Sequence, residues 1–283
     1  MIKQIWPYSL LCILVFCLGG IIAVFNQNQF SISRAALENE LFALDEELIY
    51  PNQHQKELDF TLVDPEMAPE EIRPDVMRGY RIVMETNKYA GDYTGDRLSC
   101  RNCHFEGGNT YGGKNGSISL VGVTEVYPRY SSRAKRKMPL WERINNCFMR
   151  SMNGKPLPKN SREMKAILAY LDWISMPVKG RSDYHWLGLR EIRSDHQADS
   201  KNGKKIYAKR CAGCHLIDGK GTESIPPLWG PDSFNDGAGM NTLSKIAPFI
   251  HDNMPKNDPF LTEEEALDVG AHVIEQPRPK FHE

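Results

Sequence analysis

The pattern of apolar and polar positions divides the chain into regions of different character. From Tyr8 to Phe25 no residue is charged, and Leu10, Leu11, Ile13, Leu14, Val15, Phe16, Leu18, Ile21 and Ile22 make a nearly continuous apolar run. The run exceeds the roughly 7–15 residues of a signal-peptide core and reaches the ~18 that can cross a bilayer. Ala23-Val24-Phe25 is a poor cleavage site, so residues 1–30 read as an uncleaved membrane anchor, with a removed signal peptide as the alternative. Lys3 precedes the run, whereas Glu38, Glu40, Asp45, Glu46 and Glu47 follow it, an asymmetry that predicts the amino terminus inside and the body outside. The body is therefore expected in the periplasm, tethered to the inner membrane or soluble there after cleavage.

Beyond an acidic, partly helical extension over 31–64, the apolar pattern changes to a helical period. Met164, Ile167, Leu168, Leu171 and Ile174 fall on one face behind the cap Asn160-Ser161-Arg162-Glu163. Ala266, Leu267, Val269, Ala271 and Val273 repeat the arrangement behind the capping box Thr262-Glu263-Glu264-Glu265. Two further helices are expected around Gly79-Tyr80 and over Gly203 to Ala208. The same plan occurs twice, which predicts domains at 65–178 and 197–283 joined by a charged, turn-rich linker at 179–196.

Each copy encloses the same motif. Cys100-Arg101-Asn102-Cys103-His104 and Cys211-Ala212-Gly213-Cys214-His215 are both C-x-x-C-H. Two thiols at this spacing can add to the vinyl groups of one haem while the adjacent His reaches the iron. A four-thiol zinc site needs its cysteine pairs ~15–20 residues apart, far closer than these lie, and no βαβ pattern marks a thioredoxin-type site. The fold expected is mainly α: two class I cytochrome c domains in tandem behind an N-terminal anchor or signal helix, carrying two covalently bound haem c groups.

The ligand opposite each His separates a carrier from a catalyst. Met254, in Asn253-Met254-Pro255, lies 39 residues after His215, just before the last helix, and is the favoured thioether ligand over Met240. The first half has no Met-Pro there. Cys147 stands 43 residues after His104 and is the one cysteine of the exported body left over once four hold haem. An odd thiol in an oxidising compartment is at risk unless protected or used. Cys147 is therefore the candidate iron ligand, with a free buried thiol, Met149 and Met152 as alternatives. If Trp141 to Met152 is helical, Arg143, Cys147 and Ser151 share a face. Arg129, Arg133, Lys135, Arg136 and Lys137 make a basic segment in a chain of net charge −1. Guanidinium groups suit oxyanions, although such a run is as often a solvated face. The near-neutral balance gives no reason to expect a nucleic-acid partner. Gly108 to Asn115 resembles a phosphate-binding loop but lacks the hydroxyl that holds magnesium and follows no strand, so it reads as a surface loop.

The segment Arg143 to Gly154, together with Leu228-Trp229-Gly230-Pro231-Asp232-Ser233-Phe234-Asn235 and Gly237 to Met240, resembles the dihaem thiosulfate dehydrogenase and tetrathionate reductase family over roughly 65–283. The resemblance implies His104 and Cys147 on a catalytic first iron, with Arg133, Arg143 and Ser151 lining an anion site. It implies a second haem, held by His215 and Met254, that relays electrons to a periplasmic cytochrome or similar redox protein. Some members place Lys just before the Met and exchange the two ligands; this chain has Asn253 there, with Lys256 nearby. The implied reaction joins two thiosulfates into tetrathionate and releases two electrons. A tethered electron carrier is the main rival, and it needs neither Cys147 nor the basic face. A dihaem peroxidase needs an openable iron, and a SoxA-type cytochrome needs a carrier protein and a partner subunit.

Overall fold

A computed structural model describes residues 58–282 except Asp96 and Asn257. The expected anchor at 1–30 and most of the acidic extension lie outside the described residues. Among the described residues no helix is long and apolar enough to cross a membrane.

The first half is built on α1 (Arg73–Met84) crossing a later helix, Arg162–Ser175. Pro74 opens α1, where its missing N–H costs nothing. The N-terminus of the later helix is capped by the Ser161 hydroxyl, which accepts from the Met164 amide at 3.1 Å, as its sequence predicts. Val76, Ile82 and Val83 from α1 meet Met164, Ile167, Tyr170, Leu171 and Ile174 in a buried core. The crossing is tight because Gly79 lies at the contact: a β-carbon there would overlap the Ala166 carbonyl. Between these helices run a short antiparallel pair, β1 (Arg129–Ser131) with β2 (Arg136–Met138), and then α2 (Leu140–Asn146). The helix Arg162–Ser175 is therefore α3.

The second half repeats the crossing. Helix α4 (Ser200–Arg210) packs on α6 (Glu263–Ile274), and Gly203 allows the approach because its β-carbon would overlap the Asp268 carbonyl. The expected capping box at Thr262 is complete, with Thr262 and Glu265 each accepting from the other's amide. Between them lies α5 (Leu243–Asn253), whose Ile246 and Ile250 join Tyr207, Trp229, Leu261, Val269 and Val273 in a second core.

The connection at 179–196 does more than span solvent. Trp186 is buried, donates its indole N–H to the Val121 carbonyl at 2.8 Å and packs on Phe60. The loop at 108–115 departs from its expected surface position: Gly108, Thr110 and Gly112 are buried and only Lys114 is fully exposed. Its backbone groups find partners inside the protein, so the loop can leave solvent without an unpaired-group penalty. The Asn109 amide, for example, donates to the Glu106 carbonyl at 3.2 Å.

Candidate haem and sulfur site

The two C-x-x-C-H motifs present their groups in parallel ways. In each, a short helical turn carries the motif after α1 or α4, and its first cysteine, Cys100 or Cys211, packs against that half's core. Cys100, Cys103, Cys211 and Cys214 are free thiols. The Nδ1 of His104 donates to the Ile118 carbonyl at 2.7 Å, and that of His215 points to the Pro226 carbonyl at 3.2 Å. A histidine held this way keeps its tautomer fixed and leaves Nε2 free for a metal. Burial lowers both imidazoles, His104 to about 4 even though the Ile118 carbonyl works against the shift, so both are neutral at physiological pH. A neutral imidazole beside two free thiols is the donor set that haem c requires, and the residues fit that group at both motifs.

Close to the first motif, the helical segment that the sequence predicts over 141–152 changes register. Helix α2 ends at Asn146, and Cys147–Ser151 continues as a π-turn, closed by the Met152 amide donating to the Cys147 carbonyl at 3.0 Å. Such π-turns often sit at functional positions. The cause is visible at the buried Asn145, whose amide side chain exchanges two 2.9 Å hydrogen bonds with the backbone of Leu157 and ties α2 to the returning chain. Phe148 and Met152 then point into the core, both almost fully buried.

Cys147 stands at the start of this turn. Arg143 Nη1 donates to its sulfur at 2.7 Å. The sulfur's charge raises the Arg143 guanidinium above the ordinary arginine value, against the opposing effect of burial, and keeps it charged. Burial pushes the Cys100 and Cys103 thiols up to about 12, and the nearby Cys147 adds to both shifts. The structure therefore gathers Cys100, Cys103, His104, Arg143 and Cys147 into one site. Tyr127, which sequence reasoning missed, belongs there too, because its phenol lies near enough to add to the rise of Arg143. No pattern around Tyr127 distinguishes it in the sequence.

The other expected residues are spread more widely. Ser151 ends the same π-turn, one turn beyond Cys147. Arg133, on the exposed connection between β1 and β2, donates Nη1 to the Gly237 carbonyl of the second half at 3.0 Å. Arg136 donates to the Glu142 carboxylate and is spent on that pair. Met149 faces an open cavity of about 520 Å³ with Asn153, Lys155 and Phe281. In the second half, Met254 caps α5 and packs against the core beside Cys211, whereas Met240 lies in the loop that follows Gly237. Lys256 holds its ammonium 4.9 Å from the centre of the Phe105 ring.

The segment 228–241 explains why the two halves meet at this site. Asn235 is buried, donates Nδ2 to the Met149 carbonyl at 2.8 Å, and its backbone N–H donates to the Arg150 carbonyl at 3.1 Å. The second half thereby grips the outer side of the π-turn that carries Cys147.

The chain is similar to known proteins in sequence and in fold. Residues 89–179 match the SoxA/TsdA cytochrome c domain, and residues 198–273 match the cytochrome c oxidase cbb3-type subunit III family. The thiosulfate dehydrogenase of Allochromatium vinosum is 37% identical over 215 residues, which cover 74% of this chain and 80% of that protein. The thiosulfate dehydrogenase of Stutzerimonas stutzeri is 35% identical over 212 residues, covering 72% of this chain and 68% of that one. Among solved structures, a thiosulfate dehydrogenase (TsdBA) from Marichromatium purpuratum superposes with a TM-score of 0.72 at 30% identity. That alignment covers 78% of this chain and half of the other. Two cytochrome c domains imply haem c binding, and with relatives of this similarity the chain belongs to the thiosulfate dehydrogenase family.

Proposed function

We propose that the chain is a dihaem oxidoreductase that couples two thiosulfate ions into tetrathionate and passes the two electrons to a periplasmic c-type cytochrome. The observation that carries this reading is the Arg143–Cys147 contact of 2.7 Å close to the first C-x-x-C-H motif. A pure electron carrier has no use for a guanidinium on a ligand sulfur. Cys100 and Cys103 would attach the first haem and Cys211 and Cys214 the second, through thioether bonds. His104 and Cys147 would hold the first iron, and His215 and Met254 the second. When bound, the two haems supply an acceptor for each of the two electrons.

The protein's own groups account for the sulfur chemistry. The Cys147 thiolate bonds to the outer sulfur of one thiosulfate, giving a cysteine thiosulfonate and releasing two electrons. A second thiosulfate then attacks that same outer sulfur through its own, expels the Cys147 thiolate and leaves as tetrathionate. Both substrates are dianions, so their approach is repulsive. Arg143, held on the Cys147 sulfur at 2.7 Å, offsets that repulsion at the reacting sulfur. Arg133 would add positive charge from the exposed β1–β2 connection, and Ser151 is a hydroxyl donor one turn away. The reverse sequence reduces tetrathionate, and the relative potentials of the haems and their partner set the direction. The segment 1–30 would tether the enzyme to the inner membrane.

The test is an assay of thiosulfate-dependent reduction of an external c-type cytochrome by the purified holoprotein, with the sulfur product identified. One tetrathionate per two electrons supports the proposal. Cytochrome reduction without any thiosulfate dependence would leave the carrier reading standing instead.

A further inference from the structure

The two halves are joined by a hydrogen-bonded bridge that links their haem-binding segments. Ser117 lies at φ 57° and is 2% exposed. A residue with a β-carbon enters this left-handed region at a cost, so the surrounding bonds must hold it there. Its hydroxyl accepts from the Phe105 amide at 2.8 Å and donates to the Cys103 carbonyl at 3.0 Å, gripping the chain on both sides of His104. Its own backbone N–H donates across to Asn253 Oδ1 in the second half at 2.8 Å.

Asn253 is completely buried, and its Nδ2 donates back to the Phe249 carbonyl of α5 at 3.0 Å. A buried amide is tolerated only with its groups satisfied, and here one of its partners belongs to the other half. The neighbours on each side matter. Ile118, next to Ser117, carries the carbonyl that orients His104, and Met254 follows Asn253. Nearby, the Asn115 amide donates to the Asp252 carbonyl, and Phe105 meets Phe249 edge to face at 6.0 Å.

We infer that Ser117 and Asn253 form a bridge tying the proximal segment of the first haem site to the distal segment of the second, and that Asn253 is the positioning residue for Met254. The inference rests on the reading of Met254 as an iron ligand given above. An apolar residue at 253 would leave the Ser117 N–H without its partner and release the end of α5. The loop carrying Met254 would then no longer be registered against the first half.

The test uses the holoprotein and two readouts other than turnover: the sulfur-to-iron charge-transfer band of a methionine-ligated oxidised haem, and the reduction potential of the second haem. Asn253→Leu is expected to abolish the band and lower that potential, because a thioether ligand raises it. Ser117→Ala keeps the N–H but loses the hydroxyl bonds that hold residue 117 in its left-handed position, and is expected to weaken the same band and shift the same potential. The double variant should show nothing beyond Asn253→Leu alone, as groups acting through one bridge are not additive. If Asn253→Leu does not fold, Ser117→Ala read at the second haem decides the matter. An unchanged second haem in Ser117→Ala, or strictly additive effects, overturns the bridge. Absence of the band from the unaltered chain overturns the Met254 assignment itself, and the positioning role with it.

Discussion

The two halves use one scaffold and differ at a single side of it. Each crosses an early helix over a closing helix at a glycine, Gly79 on Ala166 and Gly203 on Asp268. Each orients its motif histidine through a backbone carbonyl, Ile118 or Pro226. Opposite the histidine they diverge. The second half offers Met254 at the end of α5, packed among apolar neighbours, while its nearest lysine, Lys256, is drawn to the Phe105 ring. The first half offers Cys147 on a π-turn, with a guanidinium on its sulfur and Tyr127 behind the guanidinium. A thioether carries no charge and forms weak bonds, so it suits a centre that only gains and loses an electron. A thiolate is a nucleophile as well as a ligand. The comparison teaches that one frame serves both halves, and that, on the function proposed above, the reactive sulfur and its cation would separate chemistry from relay.

Removing each sulfur in turn breaks the comparison most sharply. Cys147→Gly is expected to lower thiosulfate turnover on the order of 10⁶-fold, as for loss of a catalytic nucleophile, with both haems still attached by a haem-to-protein stoichiometry assay. Met254→Gly should leave thiosulfate-dependent reduction of the first haem intact and lower the potential of the second. Equal loss of first-haem reduction in both variants would erase the proposed division of labour.

Arg143→Ala comes next. Loss of one preorganised donor at a reacting centre costs about 10²–10³-fold, and the loss should appear in kcat/KM for thiosulfate, with Arg143→Lys recovering part of it. A lysine that recovers nothing points to the geometry of the guanidinium fork rather than its charge.

The shared frame can be tested separately. Gly79→Ala and Gly203→Ala each drive a β-carbon into a backbone carbonyl and should destabilise by about 1–3 kcal/mol, the usual range for overpacking. Similar losses in denaturant unfolding are expected for the two, because the crossings are equivalent. A neutral outcome at either glycine would show that its half does not depend on the close approach.

The smallest effect concerns the second half alone. His196 Nε2 lies 2.7 Å from Asp268 Oδ1, with Asp268 almost fully buried. The hydrogen bond that His196 donates to Asp268 raises His196 above the ordinary histidine value of 6.5. Burial pushes Asp268 up, but hydrogen bonds from the Asn202 side chain, the Asp199 amide and His196 outweigh it and hold the carboxyl below 3.8. The His196 contribution is therefore complete below 6.5 and is lost as pH rises through its raised value. The Asp268 contribution is present above 3.8 and is lost as pH falls through its lowered value. His196→Asn should lower the thermal midpoint more in mildly acidic solution than in alkaline solution. An equal drop in both would mean that the contact stabilises without its charge.

Much of this arrangement was legible in the residues themselves. The two motifs and the caps at Ser161 and Thr262 are local patterns, and local patterns survive folding. Three features were not legible. The π-register at Cys147 depends on Asn145 reaching Leu157, a contact between segments that no periodicity reports. The glycine-rich loop at 108–115 reads as solvent-facing, yet it is buried because its partners lie elsewhere in the chain, including Asp252. Arg133 reads as part of an anion site, whereas its guanidinium also holds the Gly237 carbonyl of the other half. Each depends on long-range pairing, and each lies where the two halves meet.

The claim that Cys147 makes the first half the chemical centre is tested most directly by mixing oxidised holoprotein with thiosulfate in the absence of oxygen and following haem absorption. The account predicts that the unaltered chain takes up two electrons as two thiosulfates become one tetrathionate, and that Cys147→Gly stays oxidised on the same timescale. Reduction of Cys147→Gly at the rate of the unaltered chain would contradict it.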